Sequence, residues 1–157
     1  MGRSPGPPSP FLALRQARVG GVSLADQLPP PEKPLDAGRL FECYVAALCK
    51  AKGWRVVRTP HTDYGADVLV YTPDDDERPW FAIQCKYVSE PLGVAAVQAA
   101  HSGAAHYGAR LAVLASNHRL TPQARNHADT IGVVPTTVGA DTWQTGIILP
   151  MRLEFTP

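Results

Sequence analysis

Asp67-Val68-Leu69-Val70-Tyr71 and, a hairpin's length later, Phe81-Ala82-Ile83-Gln84-Cys85-Lys86-Tyr87 are the two stretches on which the fold turns. Both are apolar runs of strand length, and the second is interrupted by a glutamine and a lysine two positions apart. Side chains alternate along a strand, so Gln84 and Lys86 point one way while Ile83, Cys85 and Tyr87 point the other. If the two runs pair as neighbours, a carboxylate, an amide carbonyl and an ammonium meet at one sheet edge. Such a trio can hold a divalent cation and steady a phosphate. Taken singly the residues say less: Asp67 reads as a turn residue, and Lys86 as a gatekeeper on an edge strand.

Working outward, Leu40, Phe41, Tyr44, Val45 and Leu48 recur at helical spacing after Asp36, a natural N-cap, and Gly53 supplies a left-handed exit. Trp54 to Arg58 reads as a first strand, Asp67 to Tyr71 as a second and Trp80 to Tyr87 as a third, which suggests an antiparallel meander. The acidic run 74–77 between the last two reads as a solvated turn. Val94 to Tyr107 predicts a second helix, weakened at its far end by Gly103. Leu111 to Ala115, wholly apolar, is the pattern of a buried central strand reached by a crossover. Thr121 followed by Pro122 opens a third helix that ends near Gly132, and Val133-Val134 begins a last strand. Ile147 to Leu149 could add an edge strand before Pro150. The order predicts an α/β fold in three layers, a central mixed β-sheet flanked by helices, with a crossover between the third and fourth of these strands.

The 157 residues suffice for one domain with a real core. Eight of the 16 prolines precede Leu35, so residues 1–35 read as a proline-rich flexible tail, with at most a short helix from Phe11 to Arg18. The domain then spans 36–145, and 146–157 form a C-terminal extension. A formal charge of +1 is not that of a nonspecific DNA coat protein. Nucleic-acid contact has to come from local charge, and Lys50, Lys52, Arg55 and Arg58 read as one basic cluster beside the proposed active edge. Cys43, Cys49 and Cys85 have no paired spacing, which argues against a disulfide framework and a four-cysteine zinc site. No apolar run has bilayer length and Phe11 to Leu14 is short for a signal core, so a soluble cytoplasmic protein is expected. The five histidines lack metal-ligand spacing, Cys85 reads as a small buried hydrophobe, and the three tryptophans read as packing residues.

These stretches resemble the Mrr-like branch of the PD-(D/E)xK nuclease superfamily, in which glutamine replaces the second acid of the motif. Phe41-Glu42, Asp63-Tyr64-Gly65-Ala66-Asp67 and Ile83-Gln84-Cys85-Lys86-Tyr87 carry the likeness, with weaker echoes in Leu92 to Gln98, Ser116-Asn117 and Leu120 to Arg125. It runs from about Gly38 to Trp143. The resemblance implies a restriction-endonuclease-like fold and a Mg2+-dependent DNA endonuclease of the restriction and defence type, with Mn2+ able to substitute. It implies Asp67, the Gln84 side chain and the Cys85 backbone carbonyl as metal ligands, Lys86 as transition-state stabiliser and Glu42 as auxiliary acid. Asp63 and Gln98 are secondary candidates. Double-stranded DNA is the implied partner, with a homodimer or a separate recognition protein as further expectations. The rival readings are a nuclease specific for branched DNA and a noncatalytic DNA- or protein-binding module on the same fold.

Overall fold

The computed structural model describes residues 18–19, 22–23, 37–51, 53–60, 64–73, 75 and 77–138. Helix α1 spans Ala37–Ala51, and strands β3 (Arg55–Arg58), β4 (Val68–Tyr71) and β5 (Phe81–Lys86) follow it. Helix α2 (Val94–Tyr107), strand β6 (Leu111–Ser116), helix α3 (Pro122–Ile131) and strand β7 (Val133–Thr137) complete the domain. Upstream, Arg18–Val19 (β1) and Val22–Ser23 (β2) pair as a short antiparallel ribbon within the stretch expected to be plain tail. Residues 11–17 of the expected short helix, Asp36 and the expected edge strand at 147–149 lie outside the described residues.

One sheet carries the domain in the order β3-β4-β5-β6-β7. The first three strands run antiparallel, as expected of a meander. β5, β6 and β7 are parallel, with β6 reached through α2 and β7 through α3. Alternation divides the sheet's side chains between two cores. Val68, Val70, Phe81, Ile83, Cys85, Val113 and Ala115 pack under α1, with Phe41, Tyr44, Val45 and Leu48 pressing on them. Leu69, Ala82, Ala112 and Leu114 face the other way, against Val97, Ala100 and Ala104 of α2 and Ala124 and Ala128 of α3. The small residues of α2 and α3 let two helices share one sheet face, whereas α1 covers its face with large side chains.

Helix α3 starts where its cap predicts: Thr121 Oγ1 accepts the Ala124 N–H at 3.1 Å, and Pro122 takes the first helical position. The acidic turn differs from its expectation. Asp75 is a structural centre rather than a solvated residue, since its Oδ1 accepts the N–H groups of Glu77 and Arg78 and its Oδ2 accepts Arg110 Nη2 at 3.0 Å. Those donors, Arg110 first, hold its carboxyl below the usual carboxylate range. Asp74 and Asp76 lie outside the described residues. Trp54 packs on Phe81, with ring centroids 5.8 Å apart, and Trp80 carries the Arg110 guanidinium over its ring. No helix of the described residues is long and apolar enough to cross a membrane.

Candidate active site

Strands β4 and β5 part at Asp67, and the backbone there is fixed from both sides. Thr59, just past β3, donates its N–H to the Asp67 carbonyl at 3.0 Å and its hydroxyl to the Ala66 carbonyl at 2.7 Å. On the other side the Asp67 N–H bonds to the Ile83 carbonyl at 2.8 Å. Beneath this turn, Gly65, at φ +84°, lies directly on Gly103 of α2. A side chain on either glycine would collide with backbone of the other element, so two glycines set the depth of the turn.

With its backbone fixed, Asp67 turns its carboxyl toward the exit of β5, where Oδ2 accepts the Cys85 N–H at 2.7 Å. The N–H and C=O of a strand residue point to the same side, so the Cys85 carbonyl faces this gap as well, past the first residue of β4. Glu42 of α1 comes within hydrogen-bond reach of the Asp67 carboxyl. Burial pushes the Asp67 carboxyl above the usual range, and the Cys85 N–H, Lys86, Glu42 and Arg58 pull it back only in part. Arg58 Nη2 in turn donates to Glu42 Oε2 at 3.1 Å. Helix α1 is registered against the end of β5 by Phe41 and Tyr87, whose rings lie 5.8 Å apart. Glu42 and Lys86, their sequence neighbours, both act on Asp67.

Gln84 and Lys86 lie on the α2 face of β5, as alternation requires. Gln84 is only 8% exposed, and its side-chain oxygen is buried without a hydrogen-bond partner among the described residues. A buried acceptor left unmatched costs about 1–3 kcal/mol, so something outside the described residues is needed to satisfy it. The side chain of half-buried Lys86 forms neither a hydrogen bond nor an ion pair among the described residues, and its charge favours the ionised form of Asp67. Asn117 braces the chain just beyond Lys86. The Asn117 side chain accepts the Val88 N–H and donates to the Val88 carbonyl, both at 2.8 Å, while its own N–H lies 3.4 Å from the Lys86 carbonyl. Asn117→Ala removes both side-chain bonds and should cost about 1–3 kcal/mol. Urea unfolding reads this directly, and an unchanged midpoint would show that the amide does not brace the exit of β5.

Hard oxygen donors of the kind a divalent cation takes lie near one another here: the Asp67 and Glu42 carboxyls are in contact at the exit of β5, and Gln84 directly precedes the Cys85 whose N–H bonds to Asp67. Among the described residues no three His, Cys, Asp or Glu side chains come together, so an ion here would rely on the Gln84 amide, backbone and solvent for its remaining oxygens. Cys85 points into the α1 core, where burial raises its thiol well above the usual range. Exposed Gln98 makes no hydrogen bond to Lys86 among the described residues, and Asp63 lies outside them.

The expected basic cluster is divided. Antiparallel pairing sets Arg58 opposite Val68 but Arg55 opposite Tyr71, so only Arg58 borders the site. Arg55 stacks on the Tyr71 ring at 3.9 Å at the far end of β4, Lys50 is exposed in the last turn of α1, and Lys52 is outside the described residues. The Arg58 contact with Glu42 was hidden because it joins residues 16 apart through tertiary packing. Asn117, just after an apolar strand, had a sequence signal without an assigned task.

A mixed five-stranded sheet between one helix on one face and two on the other defines a restriction-endonuclease-like fold. A family model described as restriction endonuclease (Mrr_cat) matches residues 37–138, and the chain belongs to this family. No curated protein matches the chain. Among solved structures it is similar to a protein of unknown function, AF1548, with 18% identity and a TM-score of 0.47. The match covers 60% of this chain and 54% of that one, so it spans about half of that structure's length.

Proposed function

We propose that the chain is a Mg2+-dependent endonuclease that hydrolyses phosphodiester bonds in double-stranded DNA, with its chemistry at Asp67, Glu42, Gln84 and Lys86. The observation that carries this reading is the contact of the Asp67 and Glu42 carboxyls at the Cys85 N–H, one strand residue after Gln84, whose side-chain oxygen is buried and unmatched among the described residues. A bound divalent ion would supply neutralisation of phosphoryl charge and a more acidic water. Asp67, the Gln84 oxygen and the Cys85 carbonyl would hold it. Asp67 keeps its carboxyl aimed through the Cys85 N–H, and Glu42 orders water at the gap. Lys86 places a compact ammonium where charge grows on the phosphate. Water attacks phosphorus, so one P–O bond forms and the opposite one breaks. The water's proton passes to solvent, and the departing alkoxide takes one up.

The decisive assay is plasmid DNA incubated with and without Mg2+ or Mn2+. The parent protein should nick or linearise it only with the ion. Asp67→Ala and Lys86→Ala, shown by circular dichroism to fold, should not. Equal cutting by parent and both variants would reject the assignment, and metal-independent DNA binding without any cutting would favour a noncatalytic module.

A further inference from the structure

Building on the nuclease reading, we propose that Arg58 is a substrate-binding residue that clasps a DNA backbone phosphate beside the cleaved bond while holding Glu42. Its guanidinium carries five N–H donors in a rigid fork. Only the Nη2 contact to Glu42 is a hydrogen bond among the described residues, and the side chain is 39% exposed against 17% for Glu42. One edge of the fork is therefore turned to the acids and the rest to solvent.

Placement supports the same role. Arg58 ends β3, the outermost strand of the antiparallel half, opposite Val68 and one residue before Thr59, which bonds to the Asp67 carbonyl. It is close enough to favour the ionised form of Asp67 electrostatically. Two carboxylates alone would repel a polyanion arriving at this rim. Lys86 and Arg58 are the cations that lie beside them, on β5 and β3 at either side of Asp67. The other arginines placed by contacts are engaged elsewhere: Arg55 on Tyr71, Arg78 with the Gly108 carbonyl and Arg110 with Asp75. A half-exposed ion pair contributes little to folding, whereas an arginine fork matches phosphate oxygens in two-point geometry.

The test measures binding of a fluorescent DNA duplex by anisotropy, with Ca2+ in place of Mg2+ and across a salt series, for the parent, Arg58→Ala, Arg58→Lys and Glu42→Gln. Arg58→Ala should weaken binding by about tenfold or more and reduce the salt slope by about 0.9, the loss of one phosphate contact. Arg58→Lys should regain most of the slope and less of the affinity. The Glu42→Gln background separates substrate contact from mere positioning of Glu42, because a phosphate contact persists there and the Arg58→Ala loss remains. An unchanged salt slope, a loss that vanishes in Glu42→Gln, or no DNA binding by the parent overturns the proposal. Should Arg58→Ala fail to fold, Arg58→Lys and Arg58→Gln carry the same comparison. The outcome is independent of cutting: a parent that cleaves with Mg2+ while Arg58→Ala binds normally leaves the nuclease reading standing and removes this one.

Discussion

Asp67→Asn is expected to eliminate cleavage and raise the melting temperature together. The amide keeps an oxygen for the Cys85 N–H, so the local fold survives. It removes a negative charge from a place where burial makes charge costly. The sign follows from linkage. The folded-state pKa lies above the ordinary value of 3.8, so the folded protein holds the proton more tightly than the unfolded chain. The penalty is absent below the ordinary value, grows as pH rises toward the folded value, and is present in full above it. At neutral pH its removal should stabilise by about 1 kcal/mol, a modest figure because the carboxyl keeps some solvent contact. In the parent, acidification through that window should recover the same increment, and the variant should lack this pH dependence. Cleavage should fall at least about a hundredfold, the scale of losing one group that stabilises developing charge. Calorimetry and plasmid cutting on one sample check both halves. A variant less stable than the parent at neutral pH would contradict the electrostatic account.

Gly103→Ala should cause the largest loss of stability. Helix propensity alone predicts a gain of about 1 kcal/mol from this exchange. The new Cβ, however, would stand 2.4 Å from both the carbonyl carbon and oxygen of Gly65 and 2.7 Å from the Ala66 nitrogen. These are backbone atoms with no side chain that can swing aside. The turn must lift off α2, and overpacking of this kind typically costs about 1–3 kcal/mol and at times more. We expect a net destabilisation of about 2 kcal/mol or more by urea denaturation. Cleavage should fall further than folded protein content, because the displaced segment carries Asp67. Gly93→Ala, where nothing lies within 4 Å of an added Cβ, serves as the comparison and should be mild. If Gly103→Ala melts at or above the parent, propensity has won and the contact is not tight.

Local pattern explains why so much of the fold was legible. The helical repeat of α1, the alternation of β5 and the Thr121-Pro122 start of α3 are set by neighbours in the chain, and each element lies within a residue or two of its expected bounds. The expected grouping of Asp67 with Gln84 and Lys86 rested on the assumption that the two runs pair side by side, and the strands do pair. The missing parts depend on distances no local pattern encodes. Arg58 reaches Glu42 only because α1 lies across β3 and β5. Arg55 and Arg58 look equivalent in sequence, but antiparallel register sends them to opposite ends of β4. Gly103 read as a weak point in α2 because propensity measures an isolated helix, whereas here the missing side chain makes room for the turn below Asp67. Asp75 looked solvated because its partner Arg110 lies across the hairpin and α2.

The change from antiparallel to parallel pairing at β5 also bears on the order of assembly. Glu42, Arg58, Asp67 and Gln84 belong to the half that closes over short connections, whereas the Asn117 strut that braces the chain just past Lys86 arrives only after α2 has crossed the sheet. Nearby pairings form early and distant ones late. A nascent chain leaving the ribosome would therefore carry its acids in place before the exit of β5 is braced, and would gain full competence only after synthesis had passed β6.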